Sequence, residues 1–145
     1  MSDNSTKKSI LEADGLYHVY ESKAEDGNVV ALRGLYINMK EGEAVAVVGP
    51  SGSGKSTLLK CLGGLMKPSA GSVTLDENNM TRLKGKELVR LRQKTVSFIF
   101  QDGNLLPHLN ARDNVAEPLR NQGVRSKEAL KRADEMLERL SMPHR

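Results

Sequence analysis

Between residues 49 and 57 the chain runs Gly-Pro-Ser-Gly-Ser-Gly-Lys-Ser-Thr, a stretch that restricts the fold more tightly than any other. Gly49, Gly52 and Gly54 leave the backbone bare, so it can wrap closely round an anion and aim several N–H groups at one point. Residues 44–48 just before it are wholly apolar and rich in valine, which predicts a short strand buried on both faces. Just after it, Leu58, Leu59 and Leu62 recur at helical spacing until Gly63-Gly64 stops the helix. Strand, glycine loop and helix, in that order, supply the context in which G-x-x-x-x-G-K-S holds a polyphosphate.

The residue types dictate the chemistry. A helix starting near Lys55 adds free N–H groups and the positive end of its dipole. The Lys55 ammonium is placed to reach β- and γ-phosphates, and the Ser56 hydroxyl to ligate Mg²⁺. Thr57 is expected to make a further phosphate contact. A flexible glycine-serine turn is the plain alternative, and the flanking strand and helix argue against it. The reading is a nucleoside triphosphate site.

Length and composition set the frame. A chain of 145 residues fits one domain with its own core. No apolar run approaches membrane-spanning length, and the polar start lacks the apolar core of a signal peptide, so a cytoplasmic location is expected. The single cysteine, Cys61, rules out an internal disulfide and is expected to be a small buried residue of the post-loop helix. Residues 1–48 carry a net charge of −3 and residues 49–145 a net charge of +7. A solvated basic helix face explains that excess better than a nucleic-acid site, and no nucleic-acid partner is expected.

Along the chain, residues 1–9 are polar, without periodicity, and expected to be disordered. Residues 10–20 alternate as a strand, Asp26-Gly27 signals a turn, and residues 29–32 complete a hairpin. Leu35, Ile37 and Met39 alternate as one more strand. Residues 72–75 form a short strand followed by Asp76-Glu77, which fits a polar turn better than a metal-handling carboxylate pair. Residues 81–94 predict a basic amphipathic helix interrupted near Gly85. Residues 95–100 predict a clear strand ending at Gln101, and the loop after it is unusually apolar. Two further helices follow, over 111–122 (containing Pro118) and from Ser126 as N-cap, the latter with a stripe of Leu130, Ala133, Leu137 and Leu140 ended by Pro143.

Taken together, these residues resemble the first part of the ATP-binding subunit of an ABC transporter. The segment Gly49, Pro50, Ser51, Gly52, Ser53, Gly54, Lys55, Ser56, Thr57 matches that family's Walker A in full, and Gly42-Glu43 fits before it. Phe98-Ile-Phe-Gln101 is similar to its Q-loop, with Leu105-Leu-Pro-His-Leu and Asn114-Val following; the wording resembles lipoprotein-release and macrolide-export subunits. The resemblance implies an α/β fold: a P-loop NTPase core with a partial parallel sheet, an N-terminal antiparallel β-subdomain and the beginning of a helical subdomain, over residues 10–145. It implies ATP and Mg²⁺ as cofactors, the nine loop residues as the phosphate cradle, Tyr20 stacked on adenine with Tyr17 as competitor, and Gln101 as a second magnesium ligand that senses the γ-phosphate. Lys55 and Gln101 would then be the catalytic residues. It further implies two partners: a second ATP-binding subunit in a dimer, and a transmembrane permease subunit facing the apolar loop at the cytoplasmic side of the membrane.

The family's signature L-S-G-G-Q, its later strand ending in Asp-Glu and its switch histidine do not occur in this sequence. The chain is therefore expected to be an amino-terminal fragment, poorly soluble and inactive by itself in hydrolysis, which needs a positioned water. Two rivals stay open: a phosphate-loop phosphotransferase, against which the Phe-Ile-Phe-Gln segment argues, and a non-catalytic nucleotide binder.

Overall fold

Two long strands dominate the computed structural model, which describes residues 7–21 and 27–142. β1 (Ser9–Tyr20) and β2 (Val29–Lys40) pair antiparallel. The sequence predicts two strands where β2 is one, because Arg33-Gly34 interrupts the alternation. Gly34 instead lies inside the strand at φ 71°, and a Cβ there would come within 3.0 Å of the Tyr17 ring. Only glycine lets the strand bulge at that point while the aromatic ring packs across it. The predicted disorder over residues 1–9 is corrected at Ser9, which opens β1, while residues 1–6 and Asp26 of the predicted turn lie outside the described residues.

After the phosphate-loop segment comes α1 (Lys55–Leu62), which buries Thr57, Leu58, Cys61 and Leu62. β3 (Ala70–Leu75) then pairs antiparallel with β1, and β4 (Asn78–Asn79) closes a tight hairpin on β3. The resulting sheet has the order β2-β1-β3-β4. Its core is Ala13, Leu16, Leu32, Val73, Leu75 and Met80, with Leu58, Cys61 and Leu62 of α1. Asp76 and Glu77 make the turn at φ 44° and 67°, and both carboxylates pair with Lys8, at 2.8 and 3.0 Å. Their role is the turn, as the sequence suggests.

The chain divides into two units, residues 1–92 and 93–145. α2 (Gly85–Thr95) crosses the division and buries none of its side chains. In the second unit α3 (Ala111–Asn121) packs on α4 (Ser126–Arg139) through Ala116, Ala129 and Ala133, all fully buried. Three alanines at the seam let the two backbones come close, and Val115, Leu119, Val124 and Leu130 fill the margins. Arg112 spans the pair with a two-pronged bond to Asp134, at 2.6 and 2.7 Å. The predicted stripe on α4 is shifted: Ala129 replaces Leu130 at the seam, and Leu140 is 62% exposed. Ser126 is the first helical residue rather than the N-cap, which is Arg125, and Pro143 lies outside the described residues.

Two strand expectations need correcting. Residues 44–48 and 96–100 form no strand among the described residues, and Thr95 is the last residue of α2. Far from being buried on both faces, Val48 is 90% exposed and Ile99 fully so. Alternation and β-branching report how well a residue suits a pleated surface, but a strand exists only where neighbouring backbone completes its hydrogen bonds. Neither stretch takes part in a strand pairing among the described residues. Among the described residues the pairings are antiparallel, and those of the expected parallel sheet do not occur. None of the described helices is long and apolar enough to cross a membrane.

Candidate functional site

The phosphate-loop residues curl at the N-terminus of α1. Gly54 occupies the N-cap position in the left-handed region, φ 88°, and no side chain caps the helix there. A Cβ on Gly54 would collide with the carbonyl oxygen of Ala31 on β2, so the absence of a side chain is what lets loop and strand touch. A Cβ on Gly49 would lie 2.8 Å from Ser53 Oγ. A loop this tightly wound, followed by an uncapped helix end, leaves the first-turn N–H groups of Lys55, Ser56 and Thr57 without intrahelical partners. Those donors and the helix dipole face the direction from which an anion is held best.

Lys55 folds back over the same loop. Its ammonium donates to the carbonyl oxygens of Gly49 (2.7 Å) and Pro50 (2.6 Å), with Ser53 Oγ at 3.4 Å. The cation thereby stands over the centre of the cradle. Ser53 N–H donates to Pro50 O at 3.3 Å and Leu58 N–H to Gly54 O at 2.8 Å, which closes the turn and starts the helix. Ser56 is exposed at the helix start, where a hydroxyl can take up a ligand.

A groove of about 560 Å³ extends from this loop along the sheet, lined by Tyr20, Val29, Val30, Ala31 and residues 51–57. One end offers backbone donors and an ammonium; the other offers an aromatic ring and aliphatic side chains. That polarity suits a ligand with a charged tail and a flat, weakly polar head. Tyr20 stands at the junction. Its hydroxyl shares a hydrogen bond with Thr57 Oγ1 at 3.0 Å and lies 3.6 Å from Met66 Sδ, and His18 meets its ring edge-on with centroids 4.7 Å apart. Tyr17, the competitor, packs over Gly34 and does not line the groove.

Residues 49 and 51–57 and Tyr20 are therefore brought together, with Pro50 among them through its carbonyl bond to Lys55. Thr57, read from the sequence as a phosphate contact, is 7% exposed with its hydroxyl turned to Tyr20. Gln101 lies in the second unit, exposed, at the start of a turn over residues 101–104. The aliphatic wall of Val29, Val30 and Ala31 was not legible as part of a site, since nothing in three small apolar strand residues signals a ligand. Among the described residues no cluster of three His, Cys, Asp or Glu side chains could hold a metal ion.

The second unit carries one further built feature. The apolar loop exposes Leu105 (74%) and Leu106 (39%). Asn114 on α3 fastens it: its amide nitrogen lies 3.0–3.1 Å from the carbonyl oxygens of Leu106, Leu109 and Asn110, and its Oδ1 accepts from Leu106 N–H at 2.7 Å. Asn110 caps the same helix by accepting from Asp113 N–H at 2.8 Å.

Comparison with known proteins places the chain in a family. A family profile described as "ABC transporter" matches residues 32–145. The chain is 43% identical over 136 residues to the lipoprotein-releasing system ATP-binding protein LolD 2 of Caulobacter vibrioides, covering 94% of this chain and 59% of that protein. It is 43% identical over 140 residues to the LolD protein of Pseudomonas fluorescens, covering 97% of this chain and 61% of that one. Among solved structures, a dimeric ATP-binding cassette, MJ0796, in a post-hydrolysis state bound to ADP and Pi, superposes with a TM-score of 0.81 at 37% identity, over 89% of this chain and 56% of that one. The chain thus spans little more than half the length of these relatives.

Proposed function

Because the chain belongs to the ABC transporter family, we propose that it forms the nucleotide-holding part of an ATP-binding subunit, and that residues 49–57 cradle the phosphates of Mg-ATP. Lys55 gives charge to the β- and γ-phosphates, the first-turn N–H groups of α1 give hydrogen bonds, and the Tyr20 ring gives the adenine a stacking face. Ser56 is the residue here that would hold Mg²⁺, whose contribution is to neutralise the phosphate oxygens. Gln101 takes the role of second magnesium ligand on the resemblance alone. In the complete subunit we read two copies as closing on ATP and hydrolysing it, with the exposed Leu105–Leu106 loop turned to a membrane permease at the cytoplasmic face. The whole stretch 10–145 belongs to one such cassette.

The observation that carries this reading is the Lys55 ammonium held 2.6–2.7 Å from two carbonyl oxygens of a glycine loop whose helix end is uncapped. A phosphate tail fits that arrangement and few other ligands do. Lys55→Ala should lower Mg-ATP affinity by about 10- to 150-fold, since a charge-assisted contact of this type is worth roughly 1.5–3 kcal/mol, and further as the loop loses its inner brace. Titration calorimetry decides it: unchanged binding in that variant refutes the assignment.

A further inference from the structure

The cradle and the stacking ring belong to different parts of the chain, yet a single hydrogen bond joins them. Tyr20 ends β1, and Thr57 lies 37 residues further on, in the first turn of α1. Thr57 is buried, while the Tyr20 ring is 41% exposed, so one partner is rigidly seated and the other is a side chain free to sample rotamers if released. His18 meets the ring in a T-shaped arrangement, with centroids 4.7 Å apart. The hydroxyl contact with Thr57, seconded by Met66 Sδ at 3.6 Å, is what fixes the ring's outer end.

We propose that the Tyr20–Thr57 hydrogen bond is a positioning device, in which the phosphate helix sets the angle of the base-stacking ring so that the two halves of the nucleotide are bound by one pre-aligned surface. This rests on the nucleotide-site reading above and deepens it. The Thr57 hydroxyl is then a positioning group acting through Tyr20, while the Thr57 N–H stays among the phosphate donors. An aromatic ring at position 20 without its hydroxyl still stacks, but binding has to immobilise it first. Ordering one such side chain weakens binding by about two- to tenfold.

The test is a double-mutant cycle on the full chain, with two probes: Mg-ATP, which has a base, and Mg-tripolyphosphate, which has none. Tyr20→Phe and Thr57→Val should each weaken Mg-ATP binding about two- to tenfold, and the double variant should be no weaker than the worse single one. Tripolyphosphate affinity should not change in Tyr20→Phe, and Thr57→Ser, which keeps a hydroxyl, should recover the affinity that Thr57→Val loses. Additive losses, or full Mg-ATP affinity in Tyr20→Phe, overturn the proposal. So does a loss of tripolyphosphate binding confined to the Thr57→Val variant, which would make the Thr57 hydroxyl a direct phosphate contact. Tyr20→Phe removes one oxygen from a half-exposed side chain and leaves the ring in place, so its result stands even if the buried Thr57→Val change disturbs folding. A wild-type chain that binds tripolyphosphate but gains nothing from the base overturns the positioning role alone. One that binds neither probe overturns the nucleotide site itself and the positioning role with it.

Discussion

Two loops of this molecule are fixed by opposite means. Residues 49–57 are shaped by what their side chains lack: glycine at 54 in the left-handed region, pressed against the Ala31 carbonyl, and a lysine turned back onto its own backbone. Residues 105–110 are shaped by what one side chain supplies, the Asn114 amide with its four bonds. The first loop points backbone N–H groups at a partner; the second spends its backbone on Asn114 and points leucines outward. A loop that offers its N–H groups to a charged partner must keep most of them free, so it is braced by sterics and through its carbonyls. A loop that displays apolar side chains has its main chain to spare.

The sharpest way to break that contrast is Gly54→Ala. The new methyl group would meet a backbone carbonyl and the left-handed geometry would itself cost about 1–2 kcal/mol, so we expect a total loss of about 2–4 kcal/mol in stability. Mg-ATP affinity should fall at least about 100-fold as the N–H groups lose their common aim. A variant that melts and binds like the wild type would show the loop to be slack.

Asn114→Ala attacks the other loop. It removes the partner of Leu106 N–H and of the Leu109 carbonyl, while the Leu106 and Asn110 carbonyls keep backbone donors, and about 2 kcal/mol of local stability should go with it. Hydrogen exchange at Leu106 should accelerate while Mg-ATP affinity holds. Equal exchange rates would mean the loop is braced by something other than this amide.

The smallest effect concerns an exposed pair on α4. The hydrogen bond from Arg132, and then its charge, hold the Glu128 carboxyl below the usual carboxylate range. A carboxyl depressed in the folded state contributes stability at pH values above its unfolded pKa, and that contribution is lost as pH falls through the folded pKa. Glu128→Gln should therefore lower the neutral plateau of the pH–stability curve very slightly and leave stability at low pH unchanged, which flattens the acid limb. A steeper acid limb in the variant would contradict the sign.

Much of this was legible in the sequence, and the failures share a cause. The glycine-rich turn before α1, α1 with its Gly63 stop and the turn at Asp76-Glu77 follow from local patterns, because local geometry decides them, whereas the choice of Tyr20 with Tyr17 as competitor came from the family resemblance alone. The continuous strand through Gly34 was missed since its reason, Tyr17 packing across the glycine, comes from another strand. The stretches 44–48 and 96–100 carry strand-like composition, but pairing is supplied by neighbours and not by composition. On α4 the predicted Ala133 and Leu137 are buried, but Ala129 was missed and Leu140 wrongly included, because periodicity counts alanine as weakly apolar although it allows the close approach to α3. The Tyr20–Thr57 bond left no trace in the sequence, as two hydroxyls 37 positions apart signal nothing until folded.

Cys61, the only thiol in the chain, lies one turn beyond Thr57 on α1, is 1% exposed, and has its ionisation pushed up by burial. An alkylating reagent in neutral solution must wait until that helix lifts from the sheet, so the chain carries a built-in chemical clock for the opening of its own grip. Whatever the loop clasps will slow the clock in proportion to how firmly it is held, and the reading needs no probe grafted onto the protein.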